Sequence, residues 1–133
     1  MSLADLRALS NITPAELADL RRICYNDGQE VNGHTFYKGI DTKKYSKTTF
    51  QLRNTRFQMN KAQLSLFLKI KEDDSFDIDL WGDEMCVSHL CHSKTCIKAE
   101  HLNLETMEQN RDRDECVRRR NCQGHKNLPM CIL

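Results

Sequence analysis

Two short amphipathic segments open the chain. Ser2-Leu3-Ala4-Asp5 and Thr13-Pro14-Ala15-Glu16 each place a hydroxyl three residues before an acid, and the second adds Pro at the first helical position. Both predict helix starts. The second helix should run to about Arg22, with Leu17, Leu20 and Ile23 on its apolar side, and deliver Cys24 at its end. Gly28, Gly33 and Gly39, with Asn26, Asp27, Asn32 and Asp41, then punctuate a region of short strands, among them 35–38 and 47–52. From 56 to 70 the apolar residues Ala62, Leu64, Leu66, Phe67, Leu68 and Ile70 predict a helix, although the run is almost continuous. Phe76, Ile78 and Leu80 alternate with Asp77 and Asp79, the period of a strand with one wet face. Leu104, Glu105, Met107, Glu108 and Gln109 are good helix formers and predict a helix over 102–109 that ends at Asn110. The fold class that follows is α+β, with a twisted antiparallel sheet and no internal repeat.

Composition changes this picture. The chain has 133 residues, the size of one domain, yet only 39% are hydrophobic and 7% aromatic, while seven Cys and five His supply soft ligands. No stretch approaches the ~18–20 apolar residues of a membrane span. The first residues also lack the charged and apolar regions of a secretory signal. The expectation is an intracellular protein that neither spans a membrane nor is secreted. In such a chain an odd cysteine count argues against a disulfide framework and for thiolates holding metal. The domain should be stapled by zinc.

Charge is unevenly distributed behind the net value of +1. Lys38, Lys43, Lys44, Lys47, Arg53, Arg56, Lys61, Lys69 and Lys71 face Asp41 alone, whereas 72–84 holds seven acids and no base. The basic block is interleaved with Thr, Ser, Gln, Asn and aromatic residues, the mixture that bonds to phosphates and bases. It reads as a nucleic-acid face or as a solvated surface; charge alone does not separate the two. The acids read as a solvated hairpin.

The last third is rich in ligands. Cys91, Cys96 and His101 stand five apart, close enough for a loop to fold them round one ion. Tetrahedral zinc needs a fourth donor, for which Cys24 and Cys86 are candidates. Cys116, Cys122, His125 and Cys131 form a complete quartet in a segment with Gly124, Pro129 and almost no apolar residues, which cannot fold by burial. With these allocated, His89, His92 and Asn110 remain. Taken alone, the first is a structural histidine and the last a helix-surface residue.

The motif Ser88-His89-Leu90-Cys91-His92, followed by Cys96, His101-Leu102, Asn110, Arg113 and Cys116, resembles the His-Cys box of homing endonucleases in the His-Me finger (ββα-metal) superfamily. Cys24-Tyr25 is similar to the distant cysteine-tyrosine that closes the first zinc site in such enzymes, which favours Cys24 over Cys86. Arg56-Phe57-Gln58 resembles their arginine-aromatic-glutamine at a helix start. The resemblance implies a ββα-metal active-site motif, two structural Zn2+ (Cys24, Cys91, Cys96, His101; Cys116, Cys122, His125, Cys131) and one catalytic Mg2+, or Mn2+, held by Asn110. It implies that His89 is the general base and that Arg56, with Arg53 as competitor, holds the phosphate. The implied reaction is hydrolysis of double-stranded DNA to 5′-phosphate and 3′-hydroxyl ends in an intracellular, nuclear setting. Lys43, Lys44, Lys47, Arg53 and Lys61 would line the DNA. A homodimer is allowed, although the chain stops two residues beyond Cys131, without the tail that such enzymes exchange between subunits.

The organisation expected is one nuclease domain over 1–133: a helical segment (1–23), a sheet and helix for DNA contact (24–84), and the ββα-metal motif with two zinc loops (85–133). Two other classes compete with the nuclease. A zinc-stabilised DNA-binding module needs neither His89 nor Asn110, and for a zinc-stabilised protein-interaction domain the basic block is incidental.

Overall fold

The computed structural model describes residues 3–9, 11–25, 28–31, 34–37, 47–73, 81–82 and 84–132. Its elements, in order, are α1 (Leu3–Ala8), α2 (Pro14–Tyr25), β1 (Gly28–Val31), β2 (His34–Tyr37), β3 (Lys47–Leu52), β4 (Thr55–Asn60), α3 (Lys61–Asp73), β5 (Met85–His89), β6 (Leu102–Thr106) and α4 (Met107–Arg119). Among the described residues the strands form three antiparallel pairs, β1-β2, β3-β4 and β5-β6. The fold is α+β, with the strands as hairpins rather than one continuous twisted sheet. The strand expected over 76–80 lies outside the described residues.

Local chemistry fixes most element boundaries. The Thr13 N–H donates to Glu16 Oε1 at 3.0 Å and the Glu16 N–H to Thr13 Oγ1 at 3.1 Å, a reciprocal cap that starts α2. The helix continues to Tyr25, so Cys24 lies in its last turn rather than beyond it. β3 and β4 join through Arg53 and Asn54, both with positive φ (52° and 63°), the left-handed pair that a two-residue hairpin turn requires.

The helix expected over 56–70 is corrected here. Thr55–Asn60 is a strand, because Phe57 and Met59 alternate inward against Phe50 and Leu52, and the Phe50 and Phe57 rings stack at 5.5 Å. The helix begins only at Lys61. Its nearly unbroken apolar run is explained by burial on most sides: Ala62, Leu64, Leu66, Phe67, Leu68 and Ile70 all sit in the core.

The expected helix over 102–109 is likewise corrected. Leu102–Thr106 pairs with β5, from Met85 opposite Thr106 to His89 opposite Leu102. Thr106 and Gln109 then form a capping box, each side chain bonded to the other's N–H, and α4 starts at Met107. Asn110 therefore stands in the first turn of a helix, not at its end. One face of the β5-β6 hairpin, with Met85, Val87, Leu102 and Leu104, packs on the core built around α3. The alternation of strand side chains puts Ser88, Asn103 and Glu105 on the other face. No helix among the described residues is long and apolar enough to cross a membrane.

Candidate functional site

The segment after α4 has few apolar residues, and Met130 and Ile132 stay exposed, so burial does not hold it. Four side chains do. The donor atoms of Cys116, Cys122, His125 and Cys131 lie within 4.8 Å of one another. His125 presents Nε2 at 3.4 Å from Cys116 Sγ and 3.6 Å from Cys131 Sγ. A tetrahedron with Zn–S near 2.3 Å and Zn–N near 2.0 Å has a sulfur–nitrogen edge of roughly 3.6 Å. The spacing and the donor set fit zinc. The Cys131 N–H donates to Cys122 Sγ at 3.4 Å, and this bond pulls the Cys122 thiol down to about 6, so it is ready to bind as thiolate.

A second group gathers Cys91, Cys96 and His101, again within 4.8 Å of one another. Here His101 presents Nδ1, 3.6 Å from Cys96 Sγ. These three also fit zinc, with one position to fill. Cys24 and Cys86, the two candidates for it, lie outside the group as it stands. Cys24 is fully buried and donates its thiol to the Lys61 carbonyl at 3.5 Å, and burial pushes that thiol up to about 12. Its neighbour Tyr25 nevertheless reaches the loop, with its hydroxyl on Ser65 and 3.5 Å from the carbonyl of Ile97, the residue after Cys96. Cys86 sits in mid-β5 opposite Glu105.

A cleft of about 130 Å3 is lined by Val87, His89, His92, Lys94, Asn110 and Asp114. The ββα unit makes it: His89 ends β5, and Asn110 and Asp114 stand one turn apart on α4. Burial pushes the His89 imidazole below its ordinary value, outweighing the Cys96 carbonyl that accepts from its ring. The Cys96 backbone bonds to the ring, and His89 Nε2 is buried. Burial and the charge of Arg113 lower His92 as well, against the opposing pull of Asp114.

Behind Asn110 runs a buried polar chain. The Ser88 hydroxyl donates to Asn110 Oδ1 at 2.8 Å. Glu105 and Arg113, both fully buried, pair through Nε at 2.7 Å and Nη2 at 2.6 Å, and Arg113 Nη1 donates to Cys131 Sγ at 3.4 Å. Burial pushes the Glu105 carboxyl up, but bonds from Arg113, Ser88 and Asn103 outweigh it and hold the carboxyl below its usual value.

The expected site residues divide. His89 and Asn110 line one cleft, and the metal ligands other than Cys24 fall into their two groups. Arg56 is exposed on β4 opposite Gln51, not at a helix start, and does not line the cleft. Arg53 forks onto Glu16 at 2.9 Å from both Nε and Nη2, which commits it to α2. Lys47 is exposed on β3, whereas Lys43 and Lys44 lie outside the described residues. Lys61 is corrected: it is 3% exposed at the start of α3, packed beside Cys24, and cannot line DNA. Sequence reasoning quoted Ser88 and Arg113 within the motif but gave them no role, and it read Glu105 only as a helix former. Strand alternation along 85–89 and 102–106 was the signal that put Ser88 and Glu105 on one polar face.

Comparison with curated proteins and with solved structures gave no match. Against family models, the one described as the zinc-binding loop region of homing endonuclease matches residues 24–131. That stretch takes in every cysteine of the chain, and the protein belongs to the homing endonuclease family defined by this zinc-binding loop region.

Proposed function

We propose that the chain is a metal-dependent DNA endonuclease, hydrolysing phosphodiester bonds to 5′-phosphate and 3′-hydroxyl ends. The observation that carries this reading is that His89 and Asn110 line one and the same cleft. In it His89 is the general base: the Cys96 carbonyl accepts from one ring nitrogen, and the other takes a proton from the attacking water while the lowered pKa keeps the ring neutral near pH 7. The carboxamide oxygen of Asn110 and the carboxylate of Asp114 are hard donors, a set that suits Mg2+ or Mn2+ better than zinc. Asn110 is the ligand assigned here. When bound, such an ion stabilises charge on the phosphate and on the departing 3′ oxygen.

The remaining work falls to the chain's own cations. Lys94 lies in the cleft, beside the position a phosphate would take. Arg56, exposed on β4, holds the phosphate or the cleaved product through its fork, and Lys47 on β3, with Lys43 and Lys44, lies along double-stranded DNA. Zinc is structural in this reading, with Cys24 as fourth ligand of the first group, supported by the reach of Tyr25 to the Cys96 loop. The two sites hold the His-bearing strand against the Asn-bearing helix.

The test incubates purified protein with plasmid and Mg2+, wild type beside His89→Ala. Nicking by the wild type alone supports the reading. Equal nicking by both removes His89 from the mechanism, and salt-dependent DNA retention without any nicking supports a zinc-stabilised DNA-binding module instead. Elemental analysis tests the ligands: zinc content should fall in Cys24→Ser and hold in Cys86→Ser.

A further inference from the structure

The hydrogen bonds behind Asn110 conflict as they stand. Ser88 Oγ is 2.8 Å from Asn110 Oδ1, and the same hydroxyl bonds to the Glu105 carboxylate. A serine hydroxyl carries one proton. Offered a neutral amide oxygen and an ionised carboxylate, it goes to the carboxylate, since charge-assisted bonds are roughly twice as strong as neutral ones. Glu105 is 0% exposed, so a missing donor there costs more than one in water. With the proton on that side, Ser88 Oγ turns lone pairs toward Asn110, where an amide oxygen would meet acceptor with acceptor.

Half a turn about the last bond of Asn110 removes the conflict. Nδ2–H then donates to Ser88 Oγ, the Ser88 hydroxyl donates to Glu105, and the Asn110 oxygen points away from Ser88. The rest of the chain is rigid. Arg113 grips both Glu105 oxygens, at 2.7 Å and 2.6 Å, and its third arm reaches Cys131 in the second metal group at 3.4 Å. Each of these bonds then runs from a donor to an acceptor.

We propose that Ser88, Glu105 and Arg113 are positioning residues that hold the Asn110 carboxamide with its nitrogen on Ser88 and its oxygen presented to the cleft. This rests on the reading of Asn110 as the cation ligand. A carboxamide in water presents either end; fixed by Ser88, it presents oxygen, the only end that binds a hard cation. Residues that orient a metal ligand in this way typically matter by ten- to a hundredfold in metal affinity.

The experiment uses the full zinc-loaded chain and two readouts. By NMR, one of the two Asn110 Nδ2 protons in the wild type should exchange slowly with water, and Ser88→Ala should abolish that protection. In plasmid nicking, Ser88→Ala should raise the Mg2+ concentration for half-maximal rate about tenfold, with zinc content and DNA retention in the absence of Mg2+ unchanged. Ser88→Thr, which keeps the hydroxyl, should restore both signals. If both Asn110 protons exchange fast in the wild type, the orientation is wrong and the proposal fails. Protection together with an unaltered Mg2+ dependence in Ser88→Ala also overturns it, because orientation then does nothing for the cation. A wild type that shows protection but never nicks DNA refutes the nuclease reading instead, and the NMR result keeps that failure distinct.

Discussion

Replacing Arg113 by Met tests how the ββα unit is held together. Side-chain exposure is 1% for Arg113 and 0% for Glu105, and the fork places Nε and Nη2 2.6–3.0 Å from the carboxylate oxygens. Met keeps most of the stem's volume and removes the charge. Glu105 would retain only neutral donors, Ser88 and, at 3.4 Å, Asn103 Nδ2. Breaking a buried pair from one side costs about 3–5 kcal/mol, because an uncompensated charge stays behind. At about 3 °C per kcal/mol for a domain of this size, the melting temperature should fall by roughly 10–15 °C. The assay is thermal unfolding of zinc-loaded protein followed by circular dichroism, with zinc measured on the same samples, since Arg113 also donates to Cys131. The double variant Glu105→Leu/Arg113→Met removes both charges and should melt above Arg113→Met. A single variant that melts within about 3 °C of wild type with full zinc, or a double variant less stable than the single, would refute the reasoning.

Other consequences follow from the same structure. Phe57→Ala removes a ring that is 1% exposed and stacked on Phe50, and should cost about 3–5 kcal/mol in chemical denaturation; a cost below about 1 kcal/mol would place Phe57 outside the core. Thr13→Ala deletes the α2 cap and should cost about 1 kcal/mol, with no change in zinc content. The Arg53 side chain, with the Thr13 N–H, holds the Glu16 carboxyl down to about 2 from an ordinary 4.5. A folded value below the unfolded one means that its contribution is present above about pH 4.5 and lost as pH falls toward 2. NMR titration should therefore find Glu16 ionised to the lowest pH at which the zinc-loaded fold persists, and Arg53→Ala should bring its protonation up toward 4.5. Cys122→Ser should lose the zinc of the second group and retain that of the first, so elemental analysis showing equal loss from both would mean that the groups do not load separately.

What the sequence made legible was chemistry bound to spacing. The Cys116, Cys122, His125 and Cys131 quartet emerges as a group because a short polar loop has few other ways to become ordered. The cap at Thr13 and the strand Lys47–Leu52 were equally readable, since hydroxyl-acid spacing and period-2 alternation are local signals. The errors fell where tertiary burial overrides period. Phe57 and Met59 belong to a strand alternation that passes into the apolar run of α3 across only Asn60 and Lys61, with no Gly or Pro to mark the boundary. Leu104 and Glu105 are good helix formers pulled into β6 by pairing with Val87 and Cys86. The capping box at Thr106 and Gln109 marked the true start of α4 in the sequence, and propensity masked it. Lys61 counted as one of a basic block because nothing in its neighbours says that α3 starts inside the core beside Cys24. Glu105 passed as a helix former and Arg113 as a motif residue without a role for the same reason: their burial comes from the packing of α4 on the polar face of the hairpin.

That packing divides the labour between metal and core. The apolar face of β5-β6 is anchored on the α3 core, which fixes the strand bearing His89. The opposite face, with Cys86, Ser88, Asn103 and Glu105, has no large apolar side chain to offer α4, so the helix is held there by the Glu105–Arg113 pair and by the loop beyond it. That loop closes back on the hairpin through the Ile132 N–H on the Leu90 carbonyl at 2.8 Å, while the Leu90 N–H meets the His101 carbonyl at 2.7 Å. The residue after the last ligand of one group is thus bonded to the residue before the first ligand of the other. A metal in the second group restrains the position of α4, and a metal in the first restrains the loop whose Cys96 carbonyl holds the His89 ring. Each half of the cleft consequently owes its geometry to a different group, and losing either one should disorder one wall while leaving the α3 core intact.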